Sequence, residues 1–96
     1  MALTSKDKQR LKARAHSLKP VVIVGNQGLS ANVNQEIDRA LTDHELIKVR
    51  INTDDRDERR ACYAEIEATH QAELVQQVGK IAVFYRLSDK HKKTES

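Results

Sequence analysis

Four β-branched residues in a row, Val21-Val22-Ile23-Val24, stand between Pro20 and the glycine-bearing segment Gly25-Asn26-Gln27-Gly28. Branching at Cβ favours the extended chain, and Pro20 bars a helix from running into the segment. The run reads as a short buried strand that the two glycines then break. A strand needs neighbours, so the remaining chain has to supply a sheet and the helices that cover it.

Those elements are visible on both sides. Thr4-Ser5-Lys6-Asp7 has a capping hydroxyl and an acid in the first turn, and predicts a helix running to about His16. Its apolar stripe is thin, with Leu11 and Ala15 and then Leu18 near the helix end. Ser30 can cap a second helix, on which Val33, Ile37, Ala40, Leu41 and His44 share a face. Leu46 to Ile51 alternates with period two, placing Ile47, Val49 and Ile51 inward and Lys48 and Arg50 outward. A third helix is expected from about Asp55 to Thr69, with a weak face of Ala61, Cys62, Ile66, Ala68 and Thr69. Leu74–Val78 and Ile81–Tyr85 read as strands joined by the two-residue turn Gly79-Lys80. The order α-β-α-β-α-β-β predicts a single compact α/β domain of two layers. In it the first three strands run parallel and the hairpin adds an antiparallel fourth, giving a mixed sheet of about four strands. Residues 1–87 form this domain, and the polar, basic segment 88–96 is expected to be a disordered tail.

At 96 residues the chain holds one modest core. One cysteine allows neither an internal disulfide nor a multi-thiolate zinc site, which suits a cytoplasmic protein. No apolar run is long enough for a membrane span. Phe84, Tyr63 and Tyr85 are the whole aromatic complement, too few for a surface built on many stacking rings. His16, His44, His70 and His91 have no metal-ligand spacing, and Cys62 reads as a small helix-face residue rather than a nucleophile. His44 reads as a helix-end residue held by local hydrogen bonds. Glu36, Asp38, Asp43 and Glu45 lack an apolar pocket that would separate their pKa values. No catalytic set emerges, so the chain is expected to be no enzyme and to use no metal, cofactor or small-molecule substrate.

Charge carries more information. The net value is +3, but residues 1–19 hold +5, 20–53 hold −1, 54–75 hold −4 and 76–96 hold +3. The predicted first helix lines up Lys6, Arg10 and Arg14 on one side of its stripe and Lys8 and Lys12 on the other. Like charges four residues apart each cost a helix roughly 0.2–0.5 kcal/mol. Phosphate binding is a reason to keep them. Gly25-Asn26-Gln27-Gly28 lies between a strand and a capped helix, where glycines admit a sugar-phosphate backbone and free N–H groups favour an anion. A GXXG loop of this kind clamps nucleotides in KH domains. Glycines at a strand-to-helix turn also serve geometry alone, and both readings stay open at the level of this motif.

Leu18-Lys19-Pro20-Val21-Val22-Ile23-Val24-Gly25-Asn26-Gln27-Gly28-Leu29 resembles the opening signature of the CRM domain, the chloroplast RNA splicing and ribosome maturation module. Glu45-Leu46-Ile47-Lys48-Val49-Arg50 resembles its second block and Phe84-Tyr85-Arg86 its closing strand. The resemblance spans about residues 4–87, and a free-standing domain of this length is similar to the bacterial YhbY-type members. It implies a fold similar to the C-terminal domain of a bacterial translation initiation factor. It also implies binding of ribosomal RNA in precursors of the large ribosomal subunit. The contacts would come from Gly25, Asn26, Gln27 and Gly28 with nearby basic residues. The candidates are Lys19, Lys8, Lys12 and Arg14, with Lys48, Arg50 and Arg86. One departure stands out, since Thr69-His70-Gln71 replaces the Thr-Gly that the family tends to show after the third helix.

The expectation is thus an RNA-binding domain, monomeric and free of membranes. Two alternatives are a duplex-DNA-binding protein of similar fold and a protein adaptor using the acidic third helix.

Overall fold

The computed structural model describes residues 3–25 and 27–88. The elements follow the expected order: α1 (Ser5–Ala15), β1 (Pro20–Val24), α2 (Ala31–His44), β2 (Leu46–Ile51), α3 (Arg56–His70), β3 (Glu73–Val78) and β4 (Ile81–Tyr85). Each helix begins where its polar cap allows. Thr4 and Asp7 form a reciprocal capping box on α1. The Ser30 hydroxyl accepts from the Val33 N–H, and the Asp55 carboxylate accepts from the N–H groups of Asp57 and Glu58.

The sheet order is β1-β2-β4-β3. β1 pairs parallel with β2, while β4 is antiparallel to both β2 and β3. The first three strands therefore share a direction, as expected, but β4 inserts itself between β2 and β3. Gly79, at φ 58°, turns the hairpin, as a two-residue turn with glycine first requires.

Strand alternation divides the sheet into two faces with separate cores. On one face Val22, Val24, Ile47, Val49, Ile51, Ala82 and Phe84 pack against Ile37 and Leu41 of α2 and Tyr63 and Ile66 of α3. On the other, Leu46, Val75 and Val83 pack against Leu11 and Ala15 of α1. The expected two layers become α/β/α, because Phe84 and Tyr85 point to opposite faces and each face finds a helix. α1 brings Leu11 and Ala15 onto Leu46, Val75 and Val83, and leaves Val21, Ile23 and Val78 exposed.

Two expectations change, one about a helix face and one about the tail. The buried side of α3 is Tyr63, Ile66 and His70 with Cys62 partly covered, whereas Ala61, Ala68 and Thr69 are exposed. Tyr63 and His70 carry polar atoms, yet both find partners. The Tyr63 hydroxyl donates to the Gly79 carbonyl at 3.4 Å, and His70 Nε2 meets Asn34 Oδ1 at 2.9 Å. α3 ends on Gln71 in the left-handed region at φ 53°, where a glycine would be unstrained. That is how Thr69-His70-Gln71 builds the helix end without the family's glycine. The second change is Ser88, placed by sequence in the tail. Its N–H donates to Glu45 Oε2 and its hydroxyl to the Thr42 carbonyl, so it is buried as part of the fold. The rest of that tail lies outside the described residues.

Burial holds the pKa of His70 below its ordinary value, outweighing the nearby Asp38 carboxylate that would raise it. The neutral ring is the folded form, so the unfolded chain takes up a proton first as pH falls. Stability should be constant above the ordinary histidine value of about 6.5 and decline below it. Melting temperature followed from pH 7.5 to about pH 5 should drop less steeply for His70→Gln than for the parent. Parallel curves would show that His70 has no part in the acid sensitivity.

Candidate nucleic-acid interface

The half of the sheet that α1 leaves uncovered is where the candidate side chains gather. β1 is an edge strand, and Val21 and Ile23 point to the α1 face beyond the helix, 52% and 57% exposed. The β-branched run is therefore buried on one face only, contrary to its reading as a buried strand. Val78 at the opposite edge is 64% exposed. Between these edges, on the same face by strand register, lie Lys48 and Arg50 of β2 and Ile81 of β4. The result is an aliphatic surface crossed by two cations.

α1 walls one side of this surface. Asp7 and Arg14 lie near enough to Tyr85 to act on its hydroxyl. Lys8 and Lys12, on the other side of the Leu11–Ala15 stripe, are thus turned toward the uncovered strands. α1 carries five cations against one acid, α2 one against three, and α3 three against four. The charge asymmetry read along the chain becomes an asymmetry between the two faces of the sheet.

The glycine loop borders the same surface at the far end of β1. The Gly28 N–H donates to the Gly25 carbonyl at 3.0 Å, closing a tight turn, and the Ser30 N–H donates to the Gly28 carbonyl at 3.1 Å. Gly28 has φ +72° and needs to be glycine for that turn. Gly25 is different: it has no left-handed φ, and a Cβ there would meet nothing within 4 Å. No feature of the described fold requires glycine at position 25. Beyond the loop α2 starts with no acid in its first turn, unlike α1 and α3. Arg50 is drawn toward this corner, since its Nε donates to Asn52 Oδ1 at 2.7 Å and the Asn52 N–H donates to the Val24 carbonyl.

Of the residues singled out by sequence, Lys8, Lys12, Lys48, Arg50, Gly25, Gln27 and Gly28 lie on or around this face. Asn26 lies outside the described residues. Lys19 and Arg14 sit at its lower corner, by the start of β1. Arg86 does not join them. Its guanidinium is engaged by Asp38, Thr42 and the His70 carbonyl on the α2–α3 side of the molecule. It clamps the fold, because its fork of donors reaches two helices at once. His44, expected to be held by local hydrogen bonds, is exposed and has no such partner among the described residues. Exposed Val21, Ile23 and Leu18 were not anticipated, since an apolar run gives no sign of which face stays bare. Burial pushes the Cys62 thiol up to about 11, which suits a packing residue. The acids at the start of α3 have structural work, with Asp55 as cap and Asp57 and Glu58 at the positive helix end. Among the described residues no helix is long and apolar enough to cross a membrane.

A small α/β domain with a glycine loop between its first strand and second helix, beside a basic sheet face, is the class that these features define. The sequence profile of the CRS1 / YhbY (CRM) domain matches residues 3–86, and the chain belongs to that family. A Pseudomonas aeruginosa protein named "Probable RNA-binding protein" is 47% identical over 96 residues, covering 100% of this chain and 92% of its own length. A Haemophilus influenzae protein named "RNA-binding protein" is 43% identical over 90 residues, covering 94% and 91%. The solution structure of a Staphylococcus aureus protein, described as a candidate RNA binder, superposes with a TM-score of 0.82 at 33% identity, covering 96% of each chain.

Proposed function

We propose that this protein is a non-catalytic RNA-binding domain that acts on ribosomal RNA during assembly of the large ribosomal subunit. The observation that carries the reading is the half-open sheet face, where Lys8, Lys12, Lys48 and Arg50 surround exposed valine and isoleucine beside the glycine loop. Cations hold phosphates, while a flat aliphatic floor accepts ribose and base faces without selecting among bases. The relatives' names support RNA as the polyanion. The family resemblance in the loop and second strand supports the ribosomal substrate. With the loop at the acid-free start of α2, a phosphate would find backbone N–H groups and a favourable dipole there.

Salt dependence tests the electrostatic part. The logarithm of RNA affinity should fall linearly with the logarithm of salt concentration, by about 0.7 per phosphate contacted on single strands. Changing Lys8 and Lys12 together to Glu should weaken binding to all RNAs alike and flatten that slope. A folded double variant with the parent's slope would take α1 out of the interface. Crosslinking in cells followed by sequencing tests the ribosomal part. Enrichment of large-subunit ribosomal RNA is expected, and reads spread evenly over messenger RNA would overturn it.

A further inference from the structure

A slot opens where α1 ends and β1 begins, and its volume is about 330 Å³. β2 starts two residues ahead of its register with β1, because Pro20 is the first partner and pairs with Lys48. Leu46 and Ile47 therefore have no strand beside them on that side, and they form part of the floor together with Leu18 and Val21. His44, the last residue of α2, supplies an exposed imidazole. Arg14, Lys19 and Lys48 stand around the opening, and none of the three is ion-paired among the described residues. Among the described residues no carboxylate lines the slot.

We infer that this slot receives one unstacked nucleotide of the bound RNA, with the base inside and the flanking phosphates on Arg14, Lys19 and Lys48. This rests on the RNA-binding reading and adds to it a place where the strand leaves its helix. Four features point to a nucleotide. The volume lies at the small end of ligand sites, roughly 300–1,000 Å³, which fits a single ring system and not a peptide helix. The floor is aliphatic, so it removes one face of a ring from water without offering a hydrogen-bond code. Arg14 and His44 are the side-chain types on which splayed bases stack when Trp and Phe are absent. Three cations beside an apolar floor ask for a ligand that is flat and greasy at one end and multiply anionic at the other. The slot is also continuous with the proposed interface, because Val21 and Lys48 belong to both. A chain with so few aromatics can thus still distinguish a bulged or looped strand from a perfect duplex.

Three RNAs of one stem sequence test this: the perfectly paired stem, the stem with one bulged nucleotide, and that stem with the bulged base removed to leave an abasic ribose. The bulged stem should bind about tenfold more tightly than the paired one, and the abasic stem should lose most of that gain. Leu18→Ala combined with His44→Ala, both at exposed positions, should abolish the bulge preference and leave affinity for the paired stem unchanged. Adding a free nucleoside monophosphate at millimolar concentration should not displace the bulged stem. Displacement would assign the slot to a free nucleotide and overturn its place in the RNA site. Equal binding of the bulged and abasic stems overturns the slot while leaving the RNA-binding reading intact. Failure of the parent protein to bind any of the three overturns both.

Discussion

Changing Asn26 and Gln27 together to Asp should lower RNA affinity at least tenfold, about 1.4 kcal/mol, with almost no change in melting temperature. Gln27 is exposed, and the turn around it is closed by backbone hydrogen bonds, so the Gln27→Asp part leaves those bonds in place. The expected loss would come from repulsion of phosphate at the start of α2, and should shrink as salt rises. Gly28→Asp is a poorer test, because φ +72° adds strain of about 1 kcal/mol to the charge effect. Gly25→Ala is the cleaner companion. With no left-handed φ and open space at its Cβ, the alanine should keep or raise stability by up to about 1 kcal/mol. It should nevertheless weaken RNA binding, since the methyl group stands where the sugar-phosphate backbone is to approach. If the double Asp variant and Gly25→Ala both bind ribosomal RNA as tightly as the parent at low salt, the loop is only a turn. The interface would then consist of α1 and the sheet face.

What could be read in the chain before its structure, and what could not, follows from the range of the forces involved. Helix starts depend on side chains within four residues, so Thr4, Ser30 and Asp55 were recognisable from composition and spacing. Strand alternation is equally local, and it separated Lys48 and Arg50 from Val49 correctly. Coverage of a face is not local. Whether Val21 and Ile23 are buried depends on where α1 ends and on β1 being an edge strand, neither of which the run itself encodes. The buried side of α3 was misplaced for a related reason. Tyr63 and His70 look amphipathic until Gly79 and Asn34, which lie 16 and 36 residues away, supply their partners. The slot where α1 ends and β1 begins joins Leu18, His44 and Leu46 through a register offset that no spacing rule predicts. Basic character was thus legible, whereas the shape of the surface that presents it was not.

Arg86 shows the same limit at a single residue, and it carries the second large effect. A basic residue in the closing block resembles a phosphate contact, yet its side chain is only 19% exposed. One terminal nitrogen donates to Asp38 Oδ1 at 2.9 Å and to the His70 carbonyl at 3.1 Å. The other donates to the Asp38 carbonyl at 3.0 Å and to Thr42 Oγ1 at 2.9 Å. These bonds tie the last strand to α2 and to the end of α3. Asp38 is 61% exposed on its side chain, so water screens the ion pair, and most of the energy resides in the hydrogen bonds to α2 and to the end of α3. Arg86→Ala should cost about 2–3 kcal/mol, because the His70 carbonyl and the Thr42 hydroxyl lose a charged donor in a half-buried setting. For a domain of this size that is a fall of roughly 10–20 °C in melting temperature. Arg86→Lys should recover little, since a single ammonium cannot reach both helices as the planar fork does. Measured well below the transition, RNA affinity of Arg86→Ala should equal that of the parent. An alanine variant that melts with the parent but binds RNA more weakly would return Arg86 to the interface and remove it from the fold's support.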